Sequence, residues 1–224
     1  MSVFSIAIDG PAGAGKSTVA KAVAERLGAV YLDTGAMYRT FGLYMDRHSL
    51  TTRDQIAAAA NAPRIEVEFI GGEQRMRLDG EDVTDALRTP DASKLASQVA
   101  AVAEIRERLV KLQREFAVGH SVVMDGRDIG TDVLPDATLK VFLTASCETR
   151  AERRFKELTA KGEEATYDQV LKEIIDRDYR DAHREVSPMR QAPDAVRVDT
   201  SALSIEQSVD AVAELAREAI ARKA

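Results

Sequence analysis

The chain has 224 residues, of which 45% are hydrophobic and 30% are charged, and its formal net charge at pH 7 is −6. This length and composition predict one globular domain with a normal apolar core and room for an inserted subdomain. The acidic balance argues against a nucleic-acid polymer as partner, because such proteins usually present a basic face. No apolar run is long enough to cross a bilayer, so we expect no membrane association.

Cys147 is the single cysteine, so the chain has no internal disulfide, which is typical of a reducing compartment. The N-terminus lacks a signal-peptide pattern, and we expect a cytoplasmic protein that acts as a monomer. Cys147 is either a packing residue just past a strand or a reactive thiol. The three histidines show no metal-ligand spacing with it.

The first informative stretch, residues 10–18, fits the P-loop pattern GxxxxGK[ST]. Residues 4–8 predict a buried parallel strand before it, and residues 19–27 predict a helix after it. Glycines let the backbone N–H groups of such a loop approach phosphate oxygens. A glycine-rich turn that binds nothing is the alternative. We assign ATP binding to the whole loop: Gly10, Pro11, Ala12, Gly13, Ala14, Gly15, Lys16, Ser17 and Thr18.

Two residues of this loop have side chains suited to the chemistry of a nucleoside triphosphate. Lys16 supplies a mobile positive charge to the outer phosphates. The hydroxyl of Ser17 is placed to bind Mg²⁺, which prefers oxygen ligands. We therefore predict Mg²⁺ as the cofactor and Ser17 as its protein ligand.

Residues 30–32 predict a second short strand, which leads into a helix. Asp33, Thr34 and Arg39 follow this strand and would lie in the ligand crevice at the carboxyl edge of an α/β sheet. A second substrate could meet the P-loop phosphates there. Asp33 or Thr34 could instead serve only as a helix cap, and the two roles are compatible.

Residues 122–124 predict another buried strand, which ends in Asp125. This arrangement is a loose match to the Walker B pattern, in which a carboxylate supports Mg²⁺ or its waters. Arg127 and Asp128 follow and would lie in the same crevice. Ion pairing at the surface is the alternative for these two residues.

Residues 65–69 and 76–79 alternate apolar and polar residues, and Gly71-Gly72 and Asp79-Gly80 mark turns. We predict a small antiparallel insert at about residues 62–85 within an otherwise α/β chain.

One helix is predicted at residues 51–60. A second helix is predicted to begin at the cap Thr89-Pro90 and to end at Gly119, with an apolar stripe from Val102 to Phe116. Arg106, Arg108 and Arg114 lie off the apolar stripe of the second helix. The periodicity alone therefore predicts solvated surface charges for all three.

Residues 139–144 and 195–199 predict a fourth and a fifth strand, and a closing helix follows. Between them, Arg150, Arg153 and Arg154 lie on a polar helical stretch. This stretch fits a mobile lid over a phosphate site, but judged alone it favours a solvated helix with i,i+4 ion pairs.

Further along, Arg177, Asp181 and Arg184 are spaced so that they share one face of a helix. Two guanidinium groups flanking a carboxylate can bind a phosphate and a sugar hydroxyl together. They can also form a structural ion-pair ladder, and the spacing does not separate the two interpretations.

Several motifs together resemble the bacterial cytidylate kinases over nearly the whole chain. They are residues 8–18, residues 32–39, Arg88-Thr89-Pro90, residues 96–100, residues 125–131, and Arg177-Asp178 with Arg180-Asp181. The resemblance implies a single P-loop nucleoside monophosphate kinase domain over residues 1–224. It implies a five-stranded parallel sheet flanked by helices, with the insert at about 62–85 and a helical lid at about 150–166.

The resemblance also implies a reaction, in which the γ-phosphoryl group of ATP moves to CMP or dCMP with Mg²⁺. Its implied acceptor residues are Ser97, Arg106 and Asp128 for the cytosine, Thr34, Arg39 and Arg127 for the phosphate, and Arg177, Asp181 and Arg184 for the ribose and nearby oxygens. Asp33 is grouped with the acceptor site, and Lys16, Arg127 and Asp128 are the expected catalytic residues. Arg150, Arg153 and Arg154 fall in the lid and are expected to bind ATP.

Other classes of protein remain as alternatives. Another small P-loop kinase could act on UMP, AMP or shikimate, although the insert and the two Asp-initiated motifs argue against it. A nucleotide-dependent switch is less favoured, since the guanine-binding signature Asn-Lys-x-Asp is missing from the sequence.

Overall fold

The computed structural model describes residues 3–223, which form eight strands and eight helices. The strands are β1 (Ser5–Asp9), β2 (Val30–Asp33), β3 (Ile65–Ile70), β4 (Glu73–Leu78), β5 (Glu81–Asp82), β6 (Val122–Gly126), β7 (Leu139–Thr144) and β8 (Val196–Asp199). The helices are α1 (Lys16–Leu27), α2 (Thr34–Arg47), α3 (Arg53–Ala58), α4 (Pro90–Val99), α5 (Ala103–Ala117), α6 (Cys147–Ala160), α7 (Tyr167–His183) and α8 (Ile205–Lys223). A 3₁₀ turn spans Asp85–Arg88, and a π-helical turn spans Ile129–Val133.

Five strands form one parallel sheet, as predicted, and the structure gives their order as β2-β6-β1-β7-β8. The register places Asp33 opposite Asp125 and Asp9 opposite Gly126. The ends of β2, β6 and β1 are therefore level, and the polar residues that follow them meet at one edge of the sheet.

Helices cover both faces of this sheet because the central strands are apolar on both sides. Along β6, Val122 and Met124 pack into one core with α2, α4 and α5, whereas Val123 packs into the other with α1 and α8. The alternation is the period of two that a strand imposes on its side chains.

The predicted insert is an antiparallel sheet in the order β3-β4-β5. Its apolar residues Ile65, Met76 and Leu78 belong to the same core as Leu32 of β2 and Phe41 of α2. The insert is thus packed against the parallel sheet on the β2 side.

Helices α6 and α7 pack on each other around a small cluster formed by Ala151, Leu158, Val170 and Ile174. This cluster is separate from the two larger cores. The predicted lid lies in this hairpin, and its mobility stays a prediction.

Three predicted helix boundaries differ from the structure. The helix predicted from Thr89-Pro90 to Gly119 is two helices, because α4 ends at Val99 and α5 begins at Ala103. The helix predicted at residues 51–60 is shorter, because Thr52 caps α3 with a reciprocal bond to Gln55. The prediction that Arg177, Asp181 and Arg184 share a helix is wrong for Arg184, since α7 ends at His183 and Arg184 has an extended backbone. Within residues 3–223, no helix combines the length and the apolar character needed to cross a membrane.

Candidate active site

The glycine-rich loop connects β1 to α1, and its shape depends on glycine. At Gly10, φ is +146°, and an added Cβ would lie 1.9 Å from the carbonyl oxygen of Leu143. Gly15 is left-handed and precedes α1 without a side-chain cap. The first N–H groups of the helix are therefore free of side-chain bonds and can receive an anion.

Lys16 is buried at the start of α1, and its Nζ donates to the carbonyl of Pro11 at 2.7 Å. Burial, and then the charge of Arg127, lower the pKa of Lys16 well below its ordinary value. Asp125 and Asp9 act in the opposite direction. A polyphosphate beside the amine would raise this pKa, because an anion favours the protonated form.

Ser17 and Asp125 form a pair of oxygen donors beneath the loop. The Ser17 Oγ donates to Asp125 Oδ2 at 2.8 Å, and the Tyr31 hydroxyl donates to Asp125 Oδ1 at 2.8 Å. Mg²⁺ in proteins usually takes one or two carboxylates and completes its shell with phosphates and water. The residues present fit that ion, although the described residues contain no group of three metal-binding side chains of the His, Cys, Asp and Glu type.

Asp9 links the loop to the turn that follows β6, a role that the sequence reasoning missed. Its carboxylate accepts the N–H groups of Ile129 and Gly130, each at 2.7 Å. Burial raises the pKa of Asp9 to about 7. The only sequence signal was a carboxylate directly before Gly10.

Asp33 is the N-cap of α2, as the cap interpretation anticipated, with Oδ1 accepting from the N–H of Ala36 at 2.9 Å. Its Oδ2 accepts from Arg39 Nη2 at 2.7 Å. The Thr34 hydroxyl donates to the carbonyl of Asp125 at 2.6 Å and so ties α2 to β6. These three predicted residues lie together at the end of β2.

A second group joins α5, the turn after β6 and the chain beyond α7. Arg106 pairs with Asp128, and Arg184 Nη2 donates to Asp128 Oδ1 at 3.2 Å. Burial raises the pKa of Asp128, while the charges of Arg106 and Arg184 oppose this. The surface interpretation of Asp128 is therefore wrong, since only 7% of its side chain is exposed.

Two of the three arginines of α5, Arg106 and Arg108, correct the prediction of solvated charges, whereas Arg114 is exposed as predicted. Arg106 is 3% exposed, because Asp128 supplies the counter-charge that makes burial possible. Arg108 donates to the carbonyls of Ala60 and Pro63, and Arg114 donates to those of Asp132 and Val133. Helical periodicity carries no information about such partners.

Arg127 and Asp181 connect the same turn to α7 through a bond from Nε to Oδ2 at 2.8 Å. Arg177 lies beside them, and burial and then the charge of Arg127 lower its pKa to about 10. Arg39 also contributes to this lowering. The Nε of Arg177 is buried without a hydrogen-bond partner in the described part of the chain. The charges of Arg39 and Arg127 thus act on the guanidinium group of Arg177, and an anion bound there would relieve the repulsion.

Of the three lid arginines, the structure brings only Arg150 into contact with the loop. Arg150 Nη1 donates to the carbonyl of Ala12 at 2.8 Å and pairs with Asp178 Oδ2 at 2.6 Å. Asp178 Oδ1 also accepts the N–H of Ala12 at 3.2 Å, a contact that the sequence reasoning did not assign.

Arg153 and Arg154 make other contacts. Arg153 donates to the carbonyl of Thr200 at 2.6 Å, and Thr200 in turn approaches the carbonyl of Ala14 at 3.5 Å. Arg154 pairs with Glu157 of its own helix at 2.8 Å.

Ser97 lies half-buried in α4, one turn before the helix end that Arg106 approaches. Arg106 Nη1 is 3.5 Å from the carbonyl of Ala100 at this end.

The residues around the loop and those around Asp128 and Arg127 lie at one edge of the sheet. Asp9 connects the start of the loop to the turn after β6, and Arg150 connects the loop to Asp178 of α7. A wound parallel sheet with a P-loop after its first strand is characteristic of the P-loop nucleotide-binding proteins. A family model described as cytidylate kinase matches residues 6–218. The chain therefore belongs to the cytidylate kinase family.

Curated relatives agree with the family model over almost the full length. The chain is 50% identical over 217 residues to a cytidylate kinase of Caldicellulosiruptor bescii, with 96% of each chain covered. It is also 50% identical over 214 residues to a cytidylate kinase of Desulfitobacterium hafniense, covering 95% of this chain and 92% of the relative. Among solved structures, an uncharacterized protein from Eubacterium ventriosum has a TM-score of 0.52 at 16% identity, covering 97% of this chain and 99% of its own, which supports the fold alone.

Proposed function

We propose that the protein transfers the γ-phosphoryl group of ATP to CMP or dCMP and releases ADP with CDP or dCDP. The observation that carries this proposal is the shared turn after β6. Its N–H groups at Ile129 and Gly130 bind the carboxylate of Asp9 directly before the loop, and its Asp128 lies between Arg106 and Arg184. A donor site and an acceptor site with a hydrogen-bonding base reader would therefore meet at one turn.

On the donor side, the loop amides and Lys16 bind the ATP phosphates. Ser17 and Asp125 would hold Mg²⁺, which when bound neutralises charge on the phosphate oxygens. Arg150 supports the loop through the carbonyl of Ala12. Arg153 and Arg154 lie farther along α6, and a closing motion of the lid would bring their charges toward ATP.

On the acceptor side, Asp128 accepts a hydrogen bond from the cytosine amino group, and Arg106 and Ser97 also contribute to the recognition of the base. The carbonyl of uracil at that place would face a carboxylate and be repelled. Sites built on such hydrogen bonds reject a mismatched analogue by ~10⁴-fold or more. This is the physical basis on which we propose CMP rather than UMP as acceptor.

The acceptor phosphate is held by Thr34, Arg39 and Arg127, next to the cap residue Asp33. Arg177, Asp181 and Arg184 take the ribose and the remaining phosphate oxygens. The guanidinium groups of Arg39, Arg127 and Arg177 repel one another, as the lowered pKa of Arg177 reflects. Binding an anion among them removes this repulsion and so adds to affinity.

Phosphoryl transfer then requires two polyanions in line and a neutralised transferring group. The acceptor phosphate is already anionic at neutral pH, so the reaction needs no general base. Lys16 on the ATP side and Arg127 on the acceptor side stabilise the charge of the transferring phosphoryl group. Closure of the α6–α7 hairpin would exclude water, which would otherwise compete as acceptor.

We further propose a cytoplasmic monomer with one domain over residues 1–224. All the contacts described above are made within one chain, so a second copy is not required to complete the site. The single Cys147 suits a reducing compartment.

An acceptor panel tests the proposal. ADP release from ATP is followed with CMP, dCMP, UMP, AMP or shikimate as acceptor, and Lys16→Ala serves as the inactive control. We expect rapid turnover with CMP or dCMP and slow turnover with the other three. Preference for AMP or shikimate would establish another kinase, and ATP hydrolysis that ignores the acceptor would favour a switch protein.

A further inference from the structure

The edge strand β2 has no strand neighbour on its outer side within the parallel sheet. At its last residue, a side chain from the insert takes that place. The N–H of Asp33 donates to Gln74 Oε1 at 2.7 Å, and Gln74 Nε2 donates to the carbonyl of Asp33 at 3.2 Å. A primary amide can satisfy both groups at once because it carries a donor and an acceptor.

Gln74 is held in this position by its own strand. It is the second residue of β4 and is half-buried, and its Nε2 also lies 3.2 Å from the sulfur of Met76. Met76 is buried in the core shared by the insert and α2. Its contact with the buried Met76 therefore holds the Gln74 amide in place, and the two hydrogen bonds from this amide hold the backbone of Asp33.

Asp33 in turn holds the side chain of Arg39 in place. Its two carboxylate oxygens bind the N–H of Ala36 and the guanidinium of Arg39. The guanidinium lies across the first turn of α2, since a Cβ added at Gly35 would be 3.1 Å from both Arg39 Nη1 and Asp33 Oδ1. Rotation of the Asp33 backbone would move the anchor of Arg39.

We propose that Gln74 is a positioning residue for the acceptor phosphate, through which the insert sets the place of Arg39. The inference rests on the proposed function, because it assigns Arg39 to the phosphate of the acceptor nucleotide. It gives the insert a part in the acceptor site.

The test separates the Michaelis constants of the two substrates. In Gln74→Ala, two hydrogen bonds to Asp33 are lost, and we expect the KM for CMP to rise roughly tenfold while the KM for ATP stays within about twofold. Gln74→Met fills the same space without an amide and should behave alike if the alanine variant folds poorly. Glu73→Gln is the matched control. Glu73 precedes Gln74 on β4, and its substitution weakens the 3.3 Å ion pair with Lys21 of α1 and should leave both constants unchanged.

A double-mutant cycle distinguishes positioning from simple docking of the insert. In an Arg39→Ala background, Gln74→Ala should change the KM for CMP by less than about twofold, because the arginine that it positions is gone. An undiminished effect in that background, equal rises for CMP and ATP, or an unchanged KM for CMP in folded variants would overturn the inference. If the wild-type protein does not turn over CMP, both the proposed function and this inference are refuted. If the wild type turns over CMP but the Gln74 variants behave otherwise than expected, only the inference about Gln74 is refuted.

Discussion

Replacing Asp128 with asparagine keeps the size of the side chain and removes its negative charge. Asp128 lies between Arg106 and Arg184, and the three side chains are 7%, 3% and 8% exposed. An amide in this place retains one oxygen as acceptor for an arginine. It also brings an NH₂ group, which can donate a hydrogen bond to the carbonyl oxygen of uracil.

Two magnitudes follow from this geometry. Removing one partner of a buried ion pair costs ~3–5 kcal/mol, and the retained amide oxygen places Asp128→Asn toward the lower end. Since domains are stable by about 5–15 kcal/mol, the variant should fold with a lowered melting temperature. For specificity, the ratio of kcat/KM for CMP over UMP should fall by at least ~10², which corresponds to ~2.7 kcal/mol.

Initial rates of ADP formation with varied CMP or UMP at saturating ATP provide the assay. Asp132→Asn is the matched control, since Asp132 belongs to the adjacent turn and accepts from the Thr131 hydroxyl at 2.7 Å. Its ratio of kcat/KM values should equal that of the wild type. If folded Asp128→Asn retains the wild-type ratio, Asp128 does not read the base and the reasoning is refuted.

Three further substitutions test the donor side. Lys16→Ala should lower kcat by at least ~10², because it removes the positive charge beside the transferring group; near-normal turnover in the steady-state assay would exclude that role. Gly10→Ala should abolish ATP-dependent thermal stabilisation, because its Cβ would lie 1.9 Å from the carbonyl oxygen of Leu143, and intact stabilisation would contradict the loop geometry. Asp9 has its pKa raised to about 7, so the folded state binds a proton that the unfolded state releases, and this group makes stability fall as pH rises from about 4 to about 7. Denaturant titrations at several pH values measure the dependence of the free energy of unfolding on pH, and Asp9→Asn should show a smaller decrease between about pH 4 and about pH 7. An equal decrease in wild type and variant would contradict the raised pKa of Asp9.

Local patterns predicted the parts of the site that lie next to strands. The apolar runs before Gly10, Asp33 and Asp125 located β1, β2 and β6, and the end of a parallel strand is where ligands bind. The antiparallel insert was also predictable, since its turns are marked by glycines such as Gly71 and Gly80.

Contacts across the chain were beyond such patterns. Arg106 is separated from Asp128 by 22 positions, and its place off the apolar stripe of α5 indicated exposure. Burial of an arginine depends on a partner, and periodicity does not identify partners. Only the family resemblance placed Arg106 at the acceptor site.

The same limitation applies to Asp178 and Gln74. Asp178 accepts an N–H from the loop residue Ala12, which is 166 positions away, and Gln74 binds Asp33 from 41 positions away. Gln74 belongs to none of the motifs, and Asp178 belongs to the motif Arg177-Asp178 but was assigned no role in it. Their roles follow from how α7 and the insert pack against the edge of the sheet.

The central claim is that two nucleotides bring their phosphates into one cleft on a single chain. Titration calorimetry with adenosine and cytidine joined through five phosphates tests it directly. We predict one ligand bound per chain, with binding weakened by excess ATP alone and by excess CMP alone. Two ligands per chain, or competition from only one of the nucleotides, would contradict the account.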